Sequence, residues 1–148
     1  MFKRILLLVD SSEASAAATE HAIALAGQCG SELLAMAVVD VATLKELLTH
    51  KIMVPEEMEE YERELELSGR HQLAIVEELA RKAGVQIQVI HAKGAIHYVT
   101  VAQQQASGAD LIVLGYFQAS QVNRDLLARE KQSILDECTC PVMIVKKW

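Results

Sequence analysis

The sequence is short of cysteine, long apolar runs and clustered basic residues, and each shortage excludes something. Its longest N-terminal apolar stretch, the five residues from Ile5 to Val9 in "MFKRILLLVD", is too short for a signal core or a membrane span, so a cytoplasmic location is expected. Three cysteines, Cys29, Cys138 and Cys140, are an odd count and fit free thiols in a reducing compartment. Cys138-Thr139-Cys140 is not a CxxC motif and has no second pair to complete a zinc site, so these residues are expected to pack as small apolar side chains. The histidines at 21, 50, 71, 91 and 97 never stand four apart, so no helix offers a paired-His metal face. Clustered basic residues are missing too. A net charge of −6 makes the chain a poor binder of nucleic acid or of anionic membrane, whose phosphates reward clustered Lys and Arg. Neither GxxxxGK[ST] nor GxGxxG nor GxSxG occurs, and a receiver-type acidic pair after the first strand is absent because Asp10 is followed by Ser11-Ser12.

What the 148 residues do contain is a repeated exchange of apolar runs and helical patterns, enough for a single domain over 1–148 with a real core. "RILLLVD" is a continuous apolar run, as in a strand buried on both faces of a parallel sheet. The next stretch, "SSEASAAATEHAIALAGQCG", begins with a capping Ser11 or Ser12 and carries Glu13 where a helix dipole favours negative charge. Ala18, Ala22, Leu25 and Ala26 form its apolar stripe, and Gly27 and Gly30 are the expected stop. "SELLAMAVVD" is a second buried strand, and "VATLKELLTHKIMV" a loop with a short helix. Pro55 opens a long helix to about Ala83, with Leu65, Gly69, Leu73, Val76, Leu79 and Ala83 at core spacing and a solvated acidic face. "VQIQVIHAKG" alternates like an edge strand, "AIHYVTVAQQQASG" is a helix ending at Gly108, and "ADLIVLG" is a central strand. "SQVNRDLLAREKQSILDEC" gives the last helix and "CPVMIVKK" the last strand. Strands separated by helices require an α/β fold: one doubly wound parallel sheet of five strands with helices on both faces. Ligands of such sheets sit beyond the strands' carboxyl ends, where strand order reverses.

Three stretches, "ILLLVDSSEASAAATEHAIALA", "GADLIVLG" and "CTCPVMIVK", together resemble the universal stress protein family, in its branch of small single-domain members, over essentially the whole chain. The resemblance implies a sheet in the order 3-2-1-4-5 of the adenine nucleotide α-hydrolase-like type, and a homodimer, often paired through the last strands. That pairing would cover an edge, Val142, Met143, Ile144 and Val145, that Lys146 and Lys147 otherwise blunt. It also implies a site in which an Asp after the first strand and a Val after the second, here Asp10 and Val39, hold adenine. A G-x2-G-x9-G-[ST] loop wraps ribose and phosphates. On that pattern Gly115 matches, Gln118 and Ala128 replace the second and third glycines, and Arg129 replaces the hydroxyl; Arg124 matches a basic residue frequent in the stretch.

Glycines let backbone approach phosphate, so Gln118 and Ala128 bring Cβ atoms into that space, each at about 1 kcal/mol where φ > 0 is required. A lost hydroxyl donor removes about 1 kcal/mol more. Arg129 is expected to occupy the phosphate space rather than to clasp a ligand. The expectation is therefore a non-enzymatic stress-response protein with no cofactor and no robust ATP binding, acting through dimerisation and an unidentified protein partner. The alternative is a module that takes ATP or AMP with weak or no hydrolysis.

Overall fold

A computed structural model describes residues 1–116 and 124–146; residues 117–123 and 147–148, and the side chains of Thr43 and residues 124–128, lie outside it. The chain runs β1 (Arg4–Leu8), α1 (Glu13–Cys29), β2 (Glu32–Val39), α2 (Val41–Thr49), α3 (Pro55–Lys82), β3 (Ile87–Lys93), α4 (Ile96–Ser107), β4 (Leu111–Gly115), α5 (Arg124–Glu137) and β5 (Val142–Val145). The described strands form one sheet in the order β3-β2-β1-β4-β5, every neighbouring pair parallel. That is the doubly wound α/β arrangement the pattern of runs demands.

Alternation along each strand sorts the core into two layers. Ile5, Leu7, Leu33, Ala35, Leu111 and Val113 meet the small residues Ala18, Ala22 and Ala26 of α1 and the Leu73-Val76-Ala80 stripe of α3. Leu6, Leu34, Met36, Ile112 and Leu114 pack on the other face with Ile134 of α5 and the half-buried Ile96 and Val99 of α4. Both faces are covered, which is why the inner strands read as unbroken apolar runs. Each fully buried Leu or Ile contributes about 1.5–3 kcal/mol relative to exposure.

Several local expectations are corrected. Gly27 does not stop α1, which continues to Cys29; Gly30 alone supplies the left-handed residue, at φ 66°. On α3 the buried residues are Leu73, Val76 and Ala80, whereas Leu79 is 44% exposed and Ala83 lies past the helix end in solvent. Leu65 and Gly69, near the middle of α3, are only half-buried and line a cavity with the carboxyl ends of β2 and β3. β3 is an edge strand as its alternation indicates, and all residues of β4 are buried between β1 and β5. The last helix is described from Arg124; Ser120 and its neighbours, where its start was expected, lie outside the described residues. Cys138 and Cys140 are free and half-buried against the second core layer, and burial first, then Cys138, pushes the Cys140 thiol up to about 11. No helix among the described residues is long and apolar enough to cross a membrane.

Candidate functional site at the switch point

The crossovers after β1 and β2 place α1 and α3 on one face, and those after β3 and β4 place α4 and α5 on the other. β1 and β4 are therefore neighbours whose chains leave in opposite directions, opening a crevice at their carboxyl ends. Asp10 and Gly115 stand on its two sides.

The β1 side is built by short-range hydrogen bonds. Ser12 is the N-cap of α1, its Oγ accepting from Ser15 N at 3.1 Å. Asp10 Oδ1 accepts from Ser12 N at 2.7 Å, and Ser15 Oγ accepts from Asp10 N at 2.9 Å. The Asp10 side chain is thus fixed by the turn that launches the helix and stays exposed. Val39, 8% exposed, ends β2, and its carbonyl accepts from Gly94 N at 3.1 Å, tying β2 to the turn before α4.

The β4 side is built by packing and by one buried cation. A Cβ placed on Gly115 would lie 2.6 Å from the carbonyl carbon of Ala14 and 2.7 Å from its oxygen, so glycine is what lets the end of β4 touch the first turn of α1. The Lys131 ammonium of α5 donates to Gly115 O, and to Tyr116 O at 3.1 Å, while the residue is only 5% exposed. Burial lowers the Lys131 pKa from its ordinary 10.5, and the Asp10 carboxylate pulls it back up. Next to it, Glu130 reaches α4, which has no side-chain cap of its own. Its Oε2 accepts from His97 N at 2.7 Å and lies 2.7 Å from His97 Nδ1.

Sequence reasoning overlooked Lys131 and Glu130. The readable signal was position: Lys131 stands three residues before the buried Ile134, on the face that α5 turns inward, where a lysine needs carbonyl or carboxylate partners. Of the expected site residues, Asp10, Val39 and Gly115 are placed around the carboxyl ends of adjacent strands. Arg129 is exposed and borders a cavity of about 390 Å³ with Ala42, Glu46, His97 and Ser133. The cation set against Gly115 is Lys131. Arg124 and Ala128 lie in α5 with side chains outside the described set, and Gln118 lies outside the described residues altogether. Among the described residues no group of three or more His, Cys, Asp or Glu is placed to hold a metal ion.

An open parallel sheet in this order, with a crevice between β1 and β4, defines a fold of the adenine nucleotide α-hydrolase-like type. The chain belongs to the universal stress protein family, which it matches over residues 1–146. It is 30% identical to universal stress protein MJ0531 of Methanocaldococcus jannaschii, across 99% of this chain and 84% of that one. It is also 30% identical to universal stress protein YxiE of Bacillus subtilis, across 99% of this chain and 100% of that one. Among solved structures, hypothetical protein MJ0577 superposes with a TM-score of 0.79 at 20% identity, covering 100% of this chain and 98% of that one. A universal stress protein in complex with cAMP superposes at 0.68 with 19% identity, covering 97% and 96%. A family protein of Arabidopsis thaliana with AMP bound superposes at 0.69 with 15% identity, covering 99% and 92%.

Proposed function

We propose that this chain is a cytoplasmic, non-enzymatic member of its family that serves the stress response by dimerising and contacting a protein partner, without robust ATP binding. The observation that carries the reading is Lys131. An ammonium already bonded to the last carbonyls of β4 and drawn to Asp10 fills, from inside the protein, part of the polar space that a nucleotide would use at the crevice. Glu130 caps the N-terminus of α4, answering one of its free backbone donors from within the protein. The replacements at 118, 128 and 129 add to the effect of Lys131 by removing bare backbone and a hydroxyl donor. For the dimer, β5 carries β4 on one side and no described strand on the other, and Ile144 on it is 37% exposed. Self-pairing would satisfy such an edge in an isologous contact.

The second reading is a module that binds AMP or ATP with weak or no hydrolysis. It is favoured by Asp10 and Val39 standing where the family pattern has them and by relatives of the same fold solved with cAMP and AMP. The two separate by melting the purified protein with and without ATP. A ligand at a hundred times its Kd adds about 2.7 kcal/mol of stability, a shift of several degrees. A shift below about one degree is expected; a larger one that Asp10→Ala abolishes overturns the first reading in favour of the second. Sedimentation of the wild type and of Ile144→Glu tests the dimer: the wild type is expected as a dimer and the variant as a monomer.

A further inference from the structure

A second crevice lies on the opposite side of β2 from the switch point, under the middle of α3. Its sheet wall comes from the cross-strand pairs Ala37–His91 and Val39–Lys93, and its helix wall from Leu65, Glu66, Gly69 and Arg70. It encloses about 210 Å³. An apolar cavity of about 150 Å³ accommodates benzene, so this one has room for a single ring with a short substituent. Of the switch-point residues, Val39 borders it, whereas Asp10, Gly115, Arg129 and Lys131 do not.

Two features distinguish it from a packing gap. Gly69 sits in the interior of a helix of 28 residues, where glycine is about 1 kcal/mol worse than alanine. A Cβ there would stand 3.3 Å from that of Ala37, and both residues line the slot, so any larger residue would crowd β2 and take up part of the space. Charged side chains line and flank the slot, two of each sign: Lys93 and Arg70, Glu66 and Glu62. Lys93 is held by Glu66 and lies 3.6 Å from Glu62, so its charge is already answered. Arg70, one turn from Glu66, and His91 are exposed beside the slot. The Arg70 guanidinium, after Lys93, helps hold the Glu66 carboxyl below its ordinary pKa, but it contacts no carboxylate within 4 Å among the described residues. Beside an apolar slot it suits a planar carboxylate, which it grips through two parallel N–H donors.

We propose that this slot binds a small monocyclic aromatic carboxylate, with its ring between Val39 and Leu65 and its carboxylate on Arg70, flanked by His91. The site shares Val39 with the switch point but none of Asp10, Gly115, Arg129 and Lys131, and it does not rest on the proposed stress-protein role. The test is a backbone amide shift titration of the full chain with phenylacetate, and with phenylacetamide as its neutral isostere. Shifts are expected at residues 37–39, 65–70 and 91–93, with phenylacetate binding about tenfold tighter than the amide. Arg70→Gln, an exposed change, is expected to erase that preference while leaving the melting temperature in place, and Gly69→Ala to weaken both ligands. The proposal is overturned by absence of shifts at those residues with about 10 mM phenylacetate, where even millimolar binding saturates. Shifts centred on Asp10 and Gly115, equal affinity for acid and amide, or a preference that survives Arg70→Gln overturn it as well.

Discussion

The two strand-to-helix junctions that face each other across the switch point are held by different chemistry. At β1–α1 the bonds run between Asp10, Ser12 and Ser15, none spanning more than five residues. At β4–α5 a lysine sixteen residues away closes on the carbonyl of Gly115, and glycine is needed because α1 presses on the strand end. The first junction is a local motif that would form in many contexts. The second exists only when the sheet, α1 and α5 are all in place, so it reports on assembly of the whole crevice. The β1 side of the switch point is thus fixed by backbone rules, while its β4 side depends on what α5 brings to it.

The contrast breaks most severely at Gly115. Gly115→Ala forces a methyl group against Ala14 backbone at a separation that real Cβ atoms do not show, so either α1 shifts or β4 does. A loss of about 3 kcal/mol is expected, at the upper end of overpacking costs, read as a lowered urea midpoint with an unchanged m-value. A loss below about 1 kcal/mol would mean that the close approach of α1 is easily relieved and that the junction is not set by packing.

Lys131 offers a sharper cut because its effect has a pH signature. Burial makes the folded protein hold this proton less tightly than the unfolded chain does. Between the lowered pKa and the ordinary 10.5 the unfolded chain therefore binds more protons, and stability rises with pH across that window. The contribution is lost as pH falls through the window and is flat below it. One proton gives at most about 1.4 kcal/mol per pH unit. Urea unfolding of the wild type and Lys131→Met from neutral pH toward 10 should show the rise in the wild type and a smaller one in the variant. Asp10→Asn should widen the window, because Asp10 is what holds the lysine's pKa up. Parallel pH profiles for all three proteins would remove the coupling between the two junctions.

The same asymmetry explains what could be read from the chain. The start of α1 was legible to within Ser11 or Ser12 and its end to within Gly27 or Gly30, because caps and left-handed stops are local and residue-specific, and the strands were legible because burial on both faces leaves an unbroken apolar run. The sheet order and the family followed from words spread along the chain. Lys131 was not legible as a partner of Gly115: nothing local tells a solvated lysine from one folded under a strand end, and only its spacing to Ile134 hints at it. Arg129 drew attention because it breaks the family's hydroxyl position, yet helical geometry turns it toward α2 and α4 and swings Lys131 to the crevice. Leu79 was misplaced because the buried stripe of α3 steps from Val76 to Ala80, which leaves Leu79 on its flank at 44% exposed although its spacing from Val76 is also helical.

Weaker substitutions test whether locality is the right distinction. Ser12→Ala removes the N-cap oxygen that accepts from Ser15 N and should cost about 1 kcal/mol. Gly27→Ala is the smallest expected effect and has the opposite sign. The added methyl group meets only Val85 Cγ2 at 3.8 Å, an ordinary contact, and alanine is the better helix former by up to about 1 kcal/mol. A gain of about 0.5 kcal/mol in the urea midpoint is the expected outcome. Gly27 and Gly115 thus receive the same methyl group, one on an exposed helix face and one against a neighbouring backbone. If Gly27→Ala also lost stability, the loss at Gly115 could no longer be assigned to its contact with Ala14. With a gain at one and a loss at the other, the demand for glycine belongs to the junction between β4 and α1 and not to glycine as such.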